Sequence, residues 1–329
     1  MNPRTRLVAL AATAVVALAG CQSGNGGGQE AEYPTKRITF LSGFEPGGGI
    51  DLAINTTMKA LQSDRIVTVP MAIDHLPGGS GLVAAAKLGR SPKDTDDVLQ
   101  LTSISSLTAS LQKPGDYQLT DLAPVALLFQ EYSTMYVKAD SDLKTVADVA
   151  AKLKADPASL TFAGGTLGSP SNLALARFTT AAGVPFDKVS YLPLSGGETE
   201  LALLGGNVDV ISGGLESMEF VKDGKFRALA ISSPERLDAA KDVPTYTEAG
   251  FDVVQGSWRG VFAPPTMPAH ALEFWYEALG EAVRTTAFQD AAKQYGWQVT
   301  FKAGDEFKTF LDEESTDLRT VLDQVGLIK

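Results

Sequence analysis

Three glycine-rich segments contain the residue types that could bind an anion. They are residues 43–49, 164–170 and 195–197, and each lies between a predicted strand and a predicted helix. N–H groups at a helix N-terminus attract negative charge, glycine allows close approach to the backbone, and Ser or Thr hydroxyls add donors. Because none of the three segments contains Lys or Arg, they predict a carboxylate site built from backbone and hydroxyl donors.

Two of these segments also have a purely structural interpretation. Ser169 followed by Pro170 is typical of a helix N-cap and first helical position, and Ser195 with Glu198 forms a capping-box pattern. The sequence leaves open whether the hydroxyls bind a ligand, cap a helix, or do both.

Enzyme motifs are incomplete. Residues 43–48 have the glycine spacing of a P-loop, but Gly49 and Ile50 stand where Lys and Ser or Thr would hold phosphate and magnesium. His75 and His270 have no His or Cys at metal-ligand spacing. We therefore predict no enzymatic activity, no metal and no cofactor.

A serine hydrolase is the alternative from another class of protein. It would require a histidine close to Ser80, Ser106 or Ser169. No Gly-x-Ser-x-Gly motif supports it.

The N-terminus predicts export and a lipid anchor. Arg4 and Arg6 precede an apolar run at 7–18, and Leu-Ala-Gly comes directly before Cys21, the one cysteine of the chain. The pattern resembles a bacterial lipoprotein signal at 1–20, with Cys21 as the lipidated first residue. An ordinary secretory signal with a buried cysteine is the alternative. Residues 21–32 are glycine-rich and predict a flexible tether.

The charge of the chain excludes one class of partner. Its 329 residues include 28 Lys and Arg against 39 Asp and Glu, a net charge of −11. Nucleic-acid binding needs a basic surface, so we predict no nucleic-acid partner.

Short β-rich runs alternate with helical patterns, which predicts an α/β architecture with largely parallel sheets. Predicted strands span 38–41, 66–73, 98–102, 125–129, 133–138, 160–163, 189–192, 208–211, 228–232 and an extended run at 252–263. Predicted helices span 51–62, 81–88, 145–155, 171–182, 198–204, 269–285, 287–295 and 305–325. This order places the glycine-rich segments at the carboxyl ends of strands, where α/β sheets bind ligands.

Several motifs together resemble one receptor family. They lie at 33–38, 44–51 (Phe-Glu-Pro-Gly-Gly-Gly-Ile-Asp), 76–81 (Leu-Pro-Gly-Gly-Ser-Gly), 164–171, 204–209, 224–230, 242–250 and 258–264. In this order they resemble the substrate-binding proteins of tripartite tricarboxylate transporters, also called Bug receptors, over essentially the whole mature chain.

The resemblance implies a two-domain, periplasmic-binding-protein-like clamshell. Each domain would be a mostly parallel sheet flanked by helices, with domain 1 at 33–132 and 257–329 and domain 2 at 133–256. The loops at 44–51 and 165–172 would face each other across the cleft. The predicted ligand-binding residues are Phe44, Pro46, Gly47, Gly48, Gly49, Asp51, Ser105, Ser106, Gly165, Thr166, Leu167, Gly168, Ser169, Ser171, Asn172, Ser195, Gly196, Gly213, Trp258 and Arg259.

The function implied is capture of a small organic di- or tricarboxylate and its delivery to a membrane permease. The protein would be a monomer, lipid-anchored at the outer face of the cytoplasmic membrane. A sensory receptor that presents its ligand to a signalling protein is the alternative within the class. Arg259 could hold a carboxylate bidentately or form an ion pair. Glu45, Asn172 and residues 212–214 depart from the family pattern, which leaves the identity of the substrate open.

Overall fold

The computed structural model describes residues 33–113, 118–194 and 197–328. The predicted signal at 1–20, Cys21, the predicted tether, Ser195 and Gly196 lie outside the described residues. Within the described ranges, no helix has both the length and the apolar character needed to cross a membrane.

Two sheets form the framework of the described chain. The strands of the first sheet are β1 (Ile38–Ser42), β2 (Met71–His75), β3 (Val98–Ser103), β4 (Ala123–Tyr132), β10 (Gly256–Ala263) and β11 (Gln298–Ala303). The strands of the second sheet are β5 (Thr134–Lys138), β6 (Thr161–Gly164), β7 (Ser190–Pro193), β8 (Val210–Gly213) and β9 (Phe226–Ile231). The order of strands is β11-β4-β10-β3-β1-β2 in the first sheet and β7-β6-β8-β5-β9 in the second.

Both sheets are mixed, so the prediction of mostly parallel sheets was wrong in this respect. β1 is parallel to β2 and β3, and β6 is parallel to β7 and β8. In the first sheet, β10 pairs antiparallel with β3 and β4, and β11 pairs antiparallel with β4. In the second sheet, β5 pairs antiparallel with β8 and β9. The chain passes from β4 into β5 with only Ser133 between them, and no α-helix separates β9 from β10. A parallel neighbour in the same sheet needs a crossover connection, usually an α-helix, and neither β5 nor β10 is entered through one.

Ten helices with α-helical geometry flank the sheets in the described ranges. They are α1 (Gly49–Ser63), α2 (Leu82–Gly89), α3 (Ile104–Gln112), α4 (Val146–Ala155), α5 (Pro170–Ala181), α6 (Glu198–Leu204), α7 (Met218–Lys222), α8 (Ala269–Ala282), α9 (Thr286–Tyr295) and α10 (Gly304–Gln324). In α10, Phe307, Leu311, Leu318 and Leu322 are buried. Their spacing places them along one stripe, which packs into the core while the acidic face stays outside.

Two chain segments cross between the sheets, and Ser232 joins them. The first crossing is at Ser133, between β4 and β5, and the second is at Gln255, just before β10. The Ser133 N–H donates to Ser232 Oγ (3.0 Å), and Ser232 Oγ donates to the Gln255 carbonyl (2.8 Å). The Ser232 backbone also bonds both segments, by its N–H to the Ser133 carbonyl (2.8 Å) and its carbonyl to the Gln255 N–H (2.9 Å). We call this arrangement the Ser232 clasp.

Candidate ligand-binding site

The loop between β6 and α5 closes on itself at the N-terminus of α5. Ser169 Oγ accepts the Asn172 N–H (3.4 Å), with Pro170 at the first helical position. The Gly165 N–H donates to Ser171 Oγ (3.0 Å), and the Gly168 N–H donates to Asn172 Oδ1 (2.9 Å). The capping interpretation of Ser169 is therefore confirmed. The same bonds fix the hydroxyls of this loop in place.

Gly168 is required by the backbone of this loop. Its φ of +80° lies in the left-handed region, and an added Cβ would meet α3 at 3.2 Å from both Gln112 Nε2 and Thr108 Cγ2. Any side chain at this position would be strained and crowded.

A cavity of about 820 Å³ lies beside the N-terminus of α5. Among the predicted site residues, Gly165, Thr166, Ser169, Ser171 and Gly213 line it. The apolar wall comes from Leu194, Leu201, Leu204 and Phe220, and the polar wall from Thr199, Glu200, Ser212, Glu216, Ser217 and Glu219. Its volume is sufficient for a small organic ligand.

A second cavity, of about 230 Å³, adjoins the first where the two sheets meet. It is lined by Glu131, Ser133 and Ser257 at the crossings, and by Tyr295 and Gly296 at the end of α9. It shares its remaining polar lining with the larger cavity at Ser171, Gly214 and Glu216. Residues of both sheets therefore contribute to one continuous cleft, which we call the Ser171 cleft.

Three glutamates converge on this cleft. Glu131 is the next-to-last residue of β4, Glu200 lies in the first turn of α6, and Glu216 follows β8. Burial raises the pKa of Glu216; N–H groups of Glu216 and Gly214 oppose the rise, and the nearby carboxylates of Glu200 and Glu131 add to it. Sequence reasoning missed all three residues. The available signal was an acidic residue near the carboxyl end of a strand, where α/β sheets bind ligands.

Arg259 forms an ion pair with Glu131. The Arg259 Nη2 group donates to Glu131 Oε2, and Nη1 donates to Ser257 Oγ at 2.7 Å. Trp297 Nε1 donates to the other carboxylate oxygen of Glu131 at 3.0 Å. Because Arg259 and Glu131 lie on neighbouring strands of one sheet, the pair is internal to that sheet. Its guanidinium is engaged by protein groups, which favours the ion-pair role over the ligand role.

Two predicted site residues, Trp258 and Ser106, have buried side chains. Trp258 is 0% exposed and packs against Phe262 and Phe307. Ser105 and Ser106 were expected in a loop but lie in the first turn of α3, because Ser103 caps the helix and the helix begins at Ile104. Ser106 Oγ is buried against Thr102 and the Ser80 carbonyl. The side chains of Trp258 and Ser106 are fully buried, and a contact of either residue with the ligand stays a prediction.

In the loop at 44–51, residues 45–49 are exposed. Asp51, at the start of α1, holds the loop by hydrogen bonds. The Asp51 carboxylate accepts the Gly47 N–H (3.1 Å) and bonds His75 Nε2 (2.7 Å). Burial opposes ionisation of Asp51, but these two bonds outweigh it and hold the pKa of the carboxyl below its usual range. A Cβ built on Gly49 would lie 3.7 Å from Arg259 Nη2.

The two cavities described above take no lining residue from 44–51. A role in ligand binding therefore stays a prediction for Phe44, Pro46, Gly47, Gly48 and Gly49. The expectation that the loops at 44–51 and 165–172 face each other across the cleft also stays a prediction. In the second loop, Leu167 is exposed at the tip and Asn172 is fully buried.

The serines considered for hydrolysis have no histidine partner in the described chain. His75 bonds Asp51, and the His270 ring lies against Tyr33 at 5.6 Å between centroids. Ser169 Oγ bonds within its own loop. Among the residues described, no group of three or more His, Cys, Asp or Glu is placed to hold a metal ion.

Two α/β sheets joined by two crossing segments, with a cleft where they meet, define the architecture of periplasmic binding proteins. The chain has this fold over nearly all of its described length. Residues 57–327 match the tripartite tricarboxylate transporter family receptor, and the chain belongs to that family.

Individual relatives agree with this assignment. Protein BugT of Bordetella pertussis (strain Tohama I) is 26% identical over 302 residues, which cover 89% of this chain and 90% of BugT. The crystal structure of a TctC solute-binding protein from Polaromonas has a TM-score of 0.78 and 23% identity, covering 89% of this chain and 99% of the other. A Rhodopseudomonas palustris protein solved with adipate has a TM-score of 0.72 and 20% identity, covering 90% of this chain and 99% of the other.

Proposed function

We propose that this protein is an extracytoplasmic receptor that captures a small organic di- or tricarboxylate in the Ser171 cleft and delivers it to a tripartite tricarboxylate-type permease. The observation that carries the proposal is the position of the α5 N-terminus. Thr166, Ser169 and Ser171 line the larger cavity there, where N–H groups and the helix dipole favour a carboxylate without a basic side chain. Adipate bound to a structural neighbour fits the same ligand class.

Domain closure and the membrane anchor are parts of this proposal. Residues 33–132 with 257–329 and residues 133–256 would act as two lids that close over the ligand, by the hinge motion expected of such binders. Cys21 would carry the lipid that keeps the receptor beside its permease. We propose no chemical conversion of the ligand.

The ligand part is tested by calorimetry with adipate and other di- and tricarboxylates. Thr166→Val should weaken binding about 5- to 150-fold, because a hydroxyl that bonds a charged oxygen contributes about 1–3 kcal/mol. Thr180→Val is the matched control: Thr180 is exposed at the far end of α5 and should leave affinity unchanged. If Thr166→Val and Ser171→Ala both bind carboxylates like the wild type, the α5 site is wrong.

The anchor is tested separately. Cys21→Ser should release the protein from membranes and leave carboxylate binding intact. A variant that still sediments with membranes after a carbonate wash would show that another feature holds it there.

A further inference from the structure

Tyr191 supports the loop between β6 and α5 from the protein side. It belongs to β7, where it pairs with Phe162 of β6, and its ring lies 5.6 Å from that of Phe186 between centroids. Its hydroxyl donates to the Gly165 carbonyl at 2.5 Å. Gly165 lines the larger cavity of the Ser171 cleft, whereas Tyr191 lines neither cavity. The phenol therefore holds the loop without contacting the space that a ligand would fill.

The surroundings of the phenol keep it protonated and close to the loop. Burial raises the pKa of Tyr191 to about 12, and the side chain of the fully buried Asn172 opposes the rise. The hydroxyl therefore remains a donor at neutral pH. Gly164 provides the space for it, because a Cβ at that position would lie 2.9 Å from Tyr191 Oη.

The bond from Tyr191 fixes the direction of one N–H group. The Gly165 carbonyl and the Thr166 N–H belong to the same planar trans peptide, so they point in opposite directions. The carbonyl is directed at Tyr191, and the N–H is therefore directed away from it, to the side on which both residues line the larger cavity.

The Thr166 N–H is available to a ligand. The N–H groups of Gly165, Gly168 and Ser169 are bonded within the loop. That of Thr166 bonds no acceptor in the described part of the chain. An N–H group beside a helix N-terminus favours an anion.

We propose that Tyr191 positions the Thr166 N–H for the carboxylate of the ligand. The inference rests on the proposed function, since it takes the loop before α5 as the carboxylate site. Glycine accepts a wide range of backbone angles, so without the bond to Tyr191 the peptide after Gly165 is able to rotate. Rotation turns the N–H away from the carboxylate and brings the negative end of the carbonyl dipole towards it. Tyr191 is a positioning residue, because it acts through this peptide.

Calorimetry with adipate on the full chain measures the effect of the missing hydroxyl. Tyr191→Phe should bind adipate at least about tenfold more weakly than the wild type, because hydrogen bonds to ionised acceptors are strong. Tyr246→Phe is the matched control. Tyr246 is buried in the same half of the chain and packs against Phe178 of α5, so it should leave the affinity within about twofold. An equal loss in Tyr246→Phe would mean that any change of packing under α5 is sufficient, and the inference would fail.

A neutral ligand separates positioning from a general loss of structure. Adipamide has the length and shape of adipate, but its two amide groups are uncharged and donate as well as accept hydrogen bonds. Its affinity, measured by displacement of adipate, should change less than about threefold in Tyr191→Phe, since bonds between neutral groups are weaker. The preference for adipate over adipamide should therefore fall. A general disturbance of the loop would weaken both ligands by the same factor.

Gly164→Ala tests the same contact from the other side. Its Cβ would displace the phenol from the Gly165 carbonyl, and it should weaken adipate binding by a factor similar to that of Tyr191→Phe. In the Tyr191→Phe background the phenol oxygen is gone, and the remaining neighbours of this Cβ lie at 3.5 and 3.6 Å, which are ordinary contacts. Gly164→Ala should then cost no further affinity, because both changes act through one bond. Losses that multiply in the double variant would contradict this.

The outcomes separate this inference from the proposed function. Adipate binding that stays within about twofold of the wild type in Tyr191→Phe overturns the inference and leaves the carboxylate receptor in place. Equal losses for adipate and adipamide do the same, because they reduce Tyr191 to a general structural role. A wild type that binds no di- or tricarboxylate refutes both, since the Thr166 N–H then has no carboxylate to bind.

Discussion

Glu314 should make the stability of this protein depend on pH in a defined direction. The residue lies on α10, opposite Arg177 of α5, which bonds the neighbouring Asp317. Burial raises the pKa of Glu314 from 4.5 to about 7; Arg177 opposes the rise and Asp317 adds to it. The folded protein therefore keeps a proton on Glu314 at pH values where the unfolded chain has lost it.

The size and sign of the effect follow from linkage. A pKa difference of about 2.5 corresponds to about 3 kcal/mol, at 1.36 kcal/mol per pKa unit. The contribution of protonated Glu314 is fully present below the unfolded pKa, near 4.5, and is lost as the pH rises through about 7. Above that value, the folded state carries an ionised carboxyl in an environment that disfavours it.

Glu314→Gln removes the titration and keeps the shape of the side chain. Urea unfolding should show equal stability for the variant and the wild type near about pH 4.5, and a variant more stable by up to about 3 kcal/mol near pH 8. Glu313→Gln, at an exposed position on the same helix, is the control and should show no such divergence. A Gln variant that loses stability near pH 8, or parallels the wild type at every pH, would refute the reasoning.

Three further changes probe the framework. Arg259→Gln should lower the free energy of unfolding by about 1–3 kcal/mol in urea titrations, because it leaves Glu131 without its cation. Gly43→Ala places a Cβ 2.3 Å from the Gly81 Cα and should cost about 1–3 kcal/mol through overpacking, visible as a lower melting temperature. The Thr145 hydroxyl caps α4 by accepting the Asp148 N–H at 3.2 Å. Thr145→Ala removes this cap and should lower the free energy of unfolding by about 1 kcal/mol, measured in urea titrations.

Local patterns predicted much of the secondary structure. The capping box at Thr145 and Asp148 and the Ser169 cap are present, because caps depend on residues three positions apart. α3 was missed because it follows β3 without a break: Ser103 ends the strand and caps the helix. β11 was missed because its stabilising partner is β4, which lies far away in the sequence.

The candidate site was predictable only where a single segment forms it. The loop before α5 has its hydroxyls and glycines in one stretch, so its place at a strand end could be read from sequence. Glu131, Glu200 and Glu216 come from three segments, and only the order of strands brings them together. The pairing of Arg259 with Glu131 likewise depends on the register of β10 against β4.

The Ser232 clasp has a mechanical consequence. Four hydrogen bonds tie the two crossing segments to Ser232, so the segments cannot slide past each other without breaking them. If the two sheets move as the proposed lids, a rotation that keeps these bonds would bend the chain next to Ser133 and Gln255. Opening and closing would then be dominated by one coordinate, which a single labelled distance across the cleft would report.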